Sequence, residues 1–483
     1  MDMPNRSGPG YSDGSFSLSF PCIYPVCPLS IDHARMYVVG DIFARYFRSC
    51  HKKVIFPIGF HFSGSTAQKF CNELNSTESN DTKDLFTKIY NCSSQEINYF
   101  KKSGLNILNF YTYKTLSELK KINITADYNE YYTTISEQYE SFVHAIFDEY
   151  KKKGVLIHKN NNLQLEYTNK KWKESVISWI DQISTILPDK KKNLSGAIND
   201  LENGWDILKN EGIGVKLEED KIIDSMHDSE LLSLYDLINH VSLTEGEFTL
   251  DEIKELFLAL SGNFSNNLSP KVSSVISLLP TSLLIMEEHL KVWFIKKIYV
   301  ETLLFNKEYR TREFCVHGLG MRDNKRMSSS KGNAILLKDL ILKNDPIKAR
   351  MIMIMTSSNI SNFYNYNNSI ITEVDKVLSK FKNFISSTLI ELSSDSKFKL
   401  SDFLNEDYRE NIFSKIEKNE ELVLIFCRLE KYLKEGFLKQ GIIELMRTIP
   451  KKYKNHSAKE KLQLMPVINY YIKILLGVTI IDL

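Results

Sequence analysis

The sequence predicts an α/β protein, a doubly wound parallel sheet followed by an α-helical bundle, on three observations. Residues 16–20 alternate like a strand and are stopped by Pro21-Cys22-Ile23-Tyr24-Pro25. From His33 the apolar positions Met36, Tyr37, Phe43, Ala44 and Phe47 recur at helical spacing, and Val54-Ile55-Phe56 follows as a short strand. Strand, turn, helix, strand is the opening unit of a doubly wound sheet. From Ile371 to the end the pattern is helical with few glycines, as in a separate bundle.

Between these ends the elements are less even. Residues 71–125 are polar and rich in Asn, Ser and Lys, and read as a connective insert. A helix starts at Thr134, with Glu137 three residues on to complete a capping box. Its stripe is Tyr139, Phe142, Val143, Ile146, Phe147 and Tyr150, and Gly154 ends it after three lysines. Residues 158–171 read as a linker and 172–266 as a mixed region. The most apolar stretch, 467–483, is interrupted by Asn469, Lys473 and Gly477, so a buried terminal helix is expected there and no membrane span. The expected organisation is a disordered tail over 1–15 and the first half of the sheet core with its insert over 16–163. The second half follows over 164–357, and a truncated helical bundle over 358–483.

Composition excludes little. The 483 residues allow several domains, and 43% hydrophobic with 25% charged residues is ordinary for a soluble protein. A net charge of +2 gives no bulk basic excess, which leaves open an RNA-binding face. The seven cysteines form no two-residue zinc spacing and no disulfide framework, so a reducing, cytoplasmic setting without structural zinc is expected. The Ser/Gly/Pro-rich start carries Asp2 and Arg6 and no apolar run, unlike a signal peptide.

Chemistry concentrates in Cys315-Val-His-Gly-Leu-Gly-Met-Arg-Asp-Asn-Lys-Arg-Met-Ser-Ser-Ser-Lys-Gly-Asn. Three serines and Lys331-Gly332-Asn333, with Lys325 upstream, form a donor-rich loop suited to wrapping phosphates. Taken alone, such a run is more often a solvated linker. In context it resembles the Lys-Met-Ser-Lys-Ser loop of class I aminoacyl-tRNA synthetases. Arg326, Met327, Ser328, Ser329 and Ser330 stand in its five places, and Lys331 is available to take over the charge missing at Ser329. The companion motif, His-x-Gly-His, is matched by Ser30-Ile31-Asp32-His33 ahead of the first helix. Asp41, Ala44-Arg45-Tyr46, and Phe56-Pro57-Ile58-Gly59-Phe60-His61 resemble the leucyl-tRNA synthetases of archaeal and eukaryotic type. So do Leu201-Glu202-Asn203-Gly204-Trp205, Asp228-Ser229, His289-Leu290 and Leu336-Leu337-Lys338-Asp339 with Arg350, in collinear order over roughly residues 16–370.

The resemblance implies a Rossmann-like class I core that joins an amino acid to tRNA, with ATP and its Mg2+ as co-substrate complex and no metal site on the protein. It implies His33 and Lys331 as catalytic groups, with Ser30, Asp32, His33, Lys325, Ser328, Ser330 and Lys331 around ATP. Tyr24 and His61 would serve the amino acid's ammonium group and His289 its side chain, leucine by resemblance. A lone histidine more often serves structure, as expected for His51 and His144; for His33 and His289 the motif context reverses that.

The departures are as specific. The editing insertion expected between about Leu163 and Thr168 is reduced to a short polar stretch, so no hydrolysis of mischarged tRNA is expected. The chain ends inside what should be the anticodon-side bundle, so tRNA is expected to be held weakly or with a helper protein. Ser30 replaces a histidine and can donate but not carry charge. Asp32 replaces a glycine and adds bulk and negative charge beside a polyphosphate, worth roughly a few kcal/mol against binding if partly buried. Ser282-Leu283-Leu284 stands where Gly-x-Asp would hold ribose, and Cys22, Ile23 and Leu232 alter the leucine pocket. Three readings follow. One is a leucine-type aminoacyl-tRNA ligase. Another is a repurposed paralogue supplying an activated amino acid to a specialised pathway. The third is a non-catalytic paralogue that binds tRNA or amino acid.

Overall fold

The computed structural model describes residues 14–76, 80–159, 162–183, 188–202, 204–218, 221–263, 267–311, 313–327, 333–393 and 407–483. Its central sheet has four parallel strands: β1 (Ser15–Ser19), β2 (Lys53–Ile55), β3 (Ser282–Met286) and β4 (Glu313–His317), in the order β4-β3-β1-β2. Residues 1–13 of the expected tail lie outside the described residues, and Ser15 already belongs to β1. β1 is buried on both faces, although its sequence alternates Ser and apolar residues. The serine face is satisfied by hydrogen bonds instead of water: Ser17 Oγ donates to Leu278 O (3.1 Å) and Ser19 Oγ to Asp236 Oδ2 (2.6 Å). That is how a half-polar strand comes to sit inside a parallel sheet.

Helices cover the sheet. α1 (Ile31–Ser49) follows β1 and packs so close to it that a Cβ at Gly40 would lie 2.6 Å from Phe20 Cζ. α2 (Gly104–Lys121) anchors the insert, where Phe86, Phe100, Ile107 and Tyr111 make a small core of their own. α3 (Glu137–Lys153) forms as expected and ends on Gly154 in the left-handed region (φ 64°). Its cap differs from the expectation: Ser136 Oγ accepts from Tyr139 N–H, while Thr134 Oγ1 accepts from Phe62 N–H. The serine adjacent to the first helical residue wins the cap because its side chain reaches the third helical N–H. Residues 158–171 are not a plain linker; strands Leu156–Lys159 and Asn162–Leu165 pair antiparallel, and Trp205–Asp206 joins as a third.

Beyond β4 a hairpin, β5 (Gly320–Arg322) and β6 (Lys325–Arg326), pairs with β7 (Tyr364–Tyr366). α4 (Leu337–Lys343), α5 (Pro346–Met355), α6 (Asn368–Ser393) and α7 (Ala458–Leu476) carry the chain into the bundle. The bundle is not a separate core. One hydrophobic cluster runs from Phe16 and Phe20 through Met353 and Phe381 to Tyr470 and Leu476. Arg350 of α5 ties it together: its guanidinium pairs with Asp41 of α1 (2.8 Å) and donates to Ile122 O (3.0 Å) and to Leu475 O of α7 (3.2 Å). The terminal helix is buried as expected, and no helix among the described residues is long and apolar enough to cross a membrane.

Candidate active site

The winding of the chain reverses between the parallel neighbours β1 and β3. The chain leaves β1 toward β2 on one side, and β3 toward β4 on the other. The crevice beyond the carboxyl ends of these two strands is where open α/β sheets bind ligands. Two sequence motifs deliver their residues there. Ser30 is the N-cap of α1 in extended backbone, yet its hydroxyl caps no helical N–H. Instead Ser30 Oγ and His33 Nδ1 share a hydrogen bond of 2.9 Å, which leaves the helix dipole facing the crevice.

His289 comes from the other side, on the turn Glu287–His289 after β3. Met286 N–H donates to its Nδ1 (3.3 Å), so the neutral ring carries its proton on Nε2. Burial, and then the neighbouring His33, push the His289 pKa down to about 4. Burial also lowers His33, against the pull of Glu288. Both imidazoles are therefore neutral near pH 7, hydrogen-bonding groups and not charges.

Asp32 stands between them and the hairpin. Its Oδ1 is buried without a hydrogen-bond partner, and a Cβ at Gly320 would lie 1.9 Å from it, so only glycine fits at the start of β5. Burial and the nearby Glu288 raise its pKa to about 7, against the opposing pull of Arg35 and Arg326. The full negative charge expected from the sequence is thus halved at neutral pH. Glu288 in turn pairs with Arg326 (2.9 Å), joining the turn after β3 to the base of the Ser/Lys loop.

The stems of that loop are fixed to the crevice. Met327 is buried and its N–H donates to Gly320 O (3.2 Å), and Asn333 Nδ2 donates to Arg326 O (3.0 Å). On the far side Ser30 and Leu336 form an antiparallel bridge, with Ile31 N–H to Ile335 O (2.9 Å) and Leu337 N–H to Leu29 O (2.8 Å). Ser328, Ser330 and Lys331 lie outside the described residues. Lys325 is exposed in β6 opposite Arg322, and no hydrogen bond or ion pair joins it to Ser30, Asp32 or His33.

Tyr24 and His61 stand together on another wall, rings 6.5 Å apart. Tyr24 Oη accepts from Ala67 N–H (3.1 Å), and His61 Nε2 meets Asp228 Oδ1 at 2.7 Å. Asp228 is fully buried and its second oxygen has no hydrogen-bond partner. Sequence reading noted Asp228 without giving it a task; the signal available was an acidic run, Asp228-Ser229-Glu230, opening an otherwise apolar helical segment. Glu288 was missed as well, although it immediately precedes the motif histidine. Under the crevice floor Arg35 is locked by Met353 O (2.9 Å), Ser357 Oγ (2.6 Å) and the neutral ring of His317, with its guanidinium 4.6 Å over Tyr364.

The fold is shared with solved structures. The chain superposes on Mycobacterium tuberculosis methionyl-tRNA synthetase bound by methionyl-adenylate with a TM-score of 0.64, covering 96% of this chain and 92% of the other at 11% identity. A second structure of that synthetase with methionyl-adenylate gives 0.63 over 95% and 89% at 10% identity. The chain therefore has the class I aminoacyl-tRNA synthetase fold, bundle included. In sequence it is similar to leucine–tRNA ligases: 29% identical over 141 residues to leucine–tRNA ligase 2 of Metallosphaera sedula, and 30% over 146 residues to the leucine–tRNA ligase of Thermoplasma acidophilum. Each match takes in 29% of this chain and only 14% and 16% of the relative. No protein-family profile matches the chain.

Proposed function

We propose that this chain activates an amino acid, leucine by its relatives, with ATP and transfers it to tRNA. The observation that carries the reading is the meeting of Ser30, His33 and His289 at the switch-point crevice, with the stems of the Ser/Lys loop hydrogen-bonded to Leu29 and Ile31. In this reading the amino acid carboxylate attacks the α-phosphorus of ATP, pyrophosphate leaves, and the adenylate passes its acyl group to a ribose hydroxyl of tRNA. No side-chain nucleophile is needed; orientation and charge neutralisation lower the barrier. The Ser30–His33 pair donates to a phosphate oxygen at the N-terminus of α1, through His33 Nε2–H when Ser30 Oγ donates to Nδ1, and Lys325, Ser328, Ser330 and Lys331 close from the loop. Magnesium arrives with the nucleotide. The free oxygen of Asp228, beside His61 and Tyr24, suits an ammonium group. Transfer proceeds without an editing step, and a helper protein assists tRNA binding.

A second reading, a paralogue that binds without turnover, is favoured by Asp32 packed on Gly320 and by the Glu288–Arg326 pair across the loop base. Amino-acid-dependent ATP–pyrophosphate exchange over the twenty amino acids separates the two. Exchange with leucine supports ligation; exchange with another amino acid alone supports a repurposed enzyme; no exchange with any supports the binding paralogue.

A further inference from the structure

Away from the crevice, α2 and α4 enclose a cleft of about 620 Å3. Its floor holds Glu118, 7% exposed, with Oε2 unpartnered. Three ammonium groups act on this carboxylate, from Lys338 of α4 and from Lys121 and Lys114 on its own helix, yet none forms an ion pair with it. Lys114 and Lys121, four residues before and three after Glu118, share its helix face and are exposed at the cleft mouth. Lys338 is held by Tyr90 O. The wall between is aromatic and aliphatic: Phe110, Tyr111 and Ile341, with Leu342 at the lip, 85% exposed.

A buried carboxylate is retained without a partner only at a cost, because its desolvation is uncompensated. Here the cost leaves an acceptor at the bottom of a cavity, cations at the rim and an apolar wall between them. An inorganic anion would satisfy the lysines alone, and a simple amine Glu118 alone. A small zwitterion with an apolar side chain satisfies all three. We propose that this cleft is a second amino-acid site, binding a free aromatic or branched aliphatic amino acid with its ammonium on Glu118 and its carboxylate toward Lys114 and Lys121.

The site does not depend on the synthetase reading, since it shares no residue with Tyr24, His61 or His289. It does adjoin the crevice. Leu336 packs into the same core as Tyr90 and Tyr111, while its backbone bridges Ser30, so an occupant of the cleft rests on the segment that leaves the Ser/Lys loop.

Isothermal titration of the full chain with each of the twenty amino acids tests the proposal, with inorganic phosphate and methylamine as probes of half the chemistry. Binding by at least one aromatic or aliphatic amino acid is expected to weaken on the order of tenfold or more in Glu118→Gln and in the Lys114→Ala/Lys121→Ala double variant. The same binding is expected to persist in His61→Ala, which disables the crevice. Thermal melts check that the variants fold. The proposal is overturned if no amino acid binds, if binding is unchanged in both cleft variants, if it disappears in His61→Ala, or if phosphate or methylamine binds as tightly as the best amino acid. A failure of the crevice reading reads differently: His61→Ala then changes no binding and the cleft variants remove all of it.

Discussion

Asp32 holds a carboxyl that titrates near neutrality because burial and Glu288 outweigh Arg35 and Arg326. Two consequences follow for this residue. If ATP phosphates lie beside it, affinity for ATP falls as pH rises from about 6 to about 8, where the carboxyl ionises. Asp32→Gly then removes that slope and tightens ATP on the order of threefold to tenfold at the upper end. Titration calorimetry with ATP at both ends of the window reads this, and a wild-type affinity flat with pH contradicts it. The second consequence concerns stability. The folded pKa lies above that of the unfolded chain, so the stability Asp32 contributes is complete below about pH 4 and is lost as pH rises through about 7. Thermal melts of wild type against Asp32→Asn should therefore diverge with rising pH, wild type falling faster. Parallel curves would mean the carboxyl is not perturbed.

At the scale of elements, the crevice depends on two joints: the Ser30–Leu336 bridge and the Glu288–Arg326 pair. The pair is exposed on both sides, so it contributes about 0–1 kcal/mol to stability. Its effect belongs to electrostatics. In an Asp32→Asn background, where fuller ionisation of Asp32 cannot offset the effect, Glu288→Gln should leave the melting temperature unchanged while strengthening nucleotide binding, since it removes a negative charge and frees Arg326; weaker binding would show that Glu288 serves the ligand directly. Much of this architecture was legible in the sequence. Strand, helix and strand before Phe56 follow from periodicity, and the Ser30–Leu336 bridge holds the segment after the Arg326 motif beside the Ser30 motif. What escaped has physical reasons. Ser136 competed with Thr134 for a cap, and sequence cannot say which hydroxyl reaches the N–H. The strands around Leu163 pair without a Gly or Pro turn signal. Glu288 and Asp228 matter through partners 38 and 167 residues away, Arg326 and His61, a separation local patterning does not encode.

For the whole molecule, the continuous core from Phe16 to Leu476 means the bundle and the sheet stand or fall together. Arg350→Ala removes one of the two guanidinium partners of buried Asp41, leaving Arg45, and frees two buried backbone carbonyls, a loss of about 2–4 kcal/mol. Chemical denaturation should show that loss as a shift of one cooperative transition, and two resolved transitions would contradict the shared core. We propose that this fold carries a working activation site where β1 and β3 part. ATP–pyrophosphate exchange with leucine, run on wild type beside His33→Ala and His289→Ala, tests it most directly. Leucine-dependent exchange in wild type that falls on the order of a hundredfold or more in His33→Ala is the predicted result. Exchange absent with every amino acid, or undiminished in both histidine variants, would contradict it.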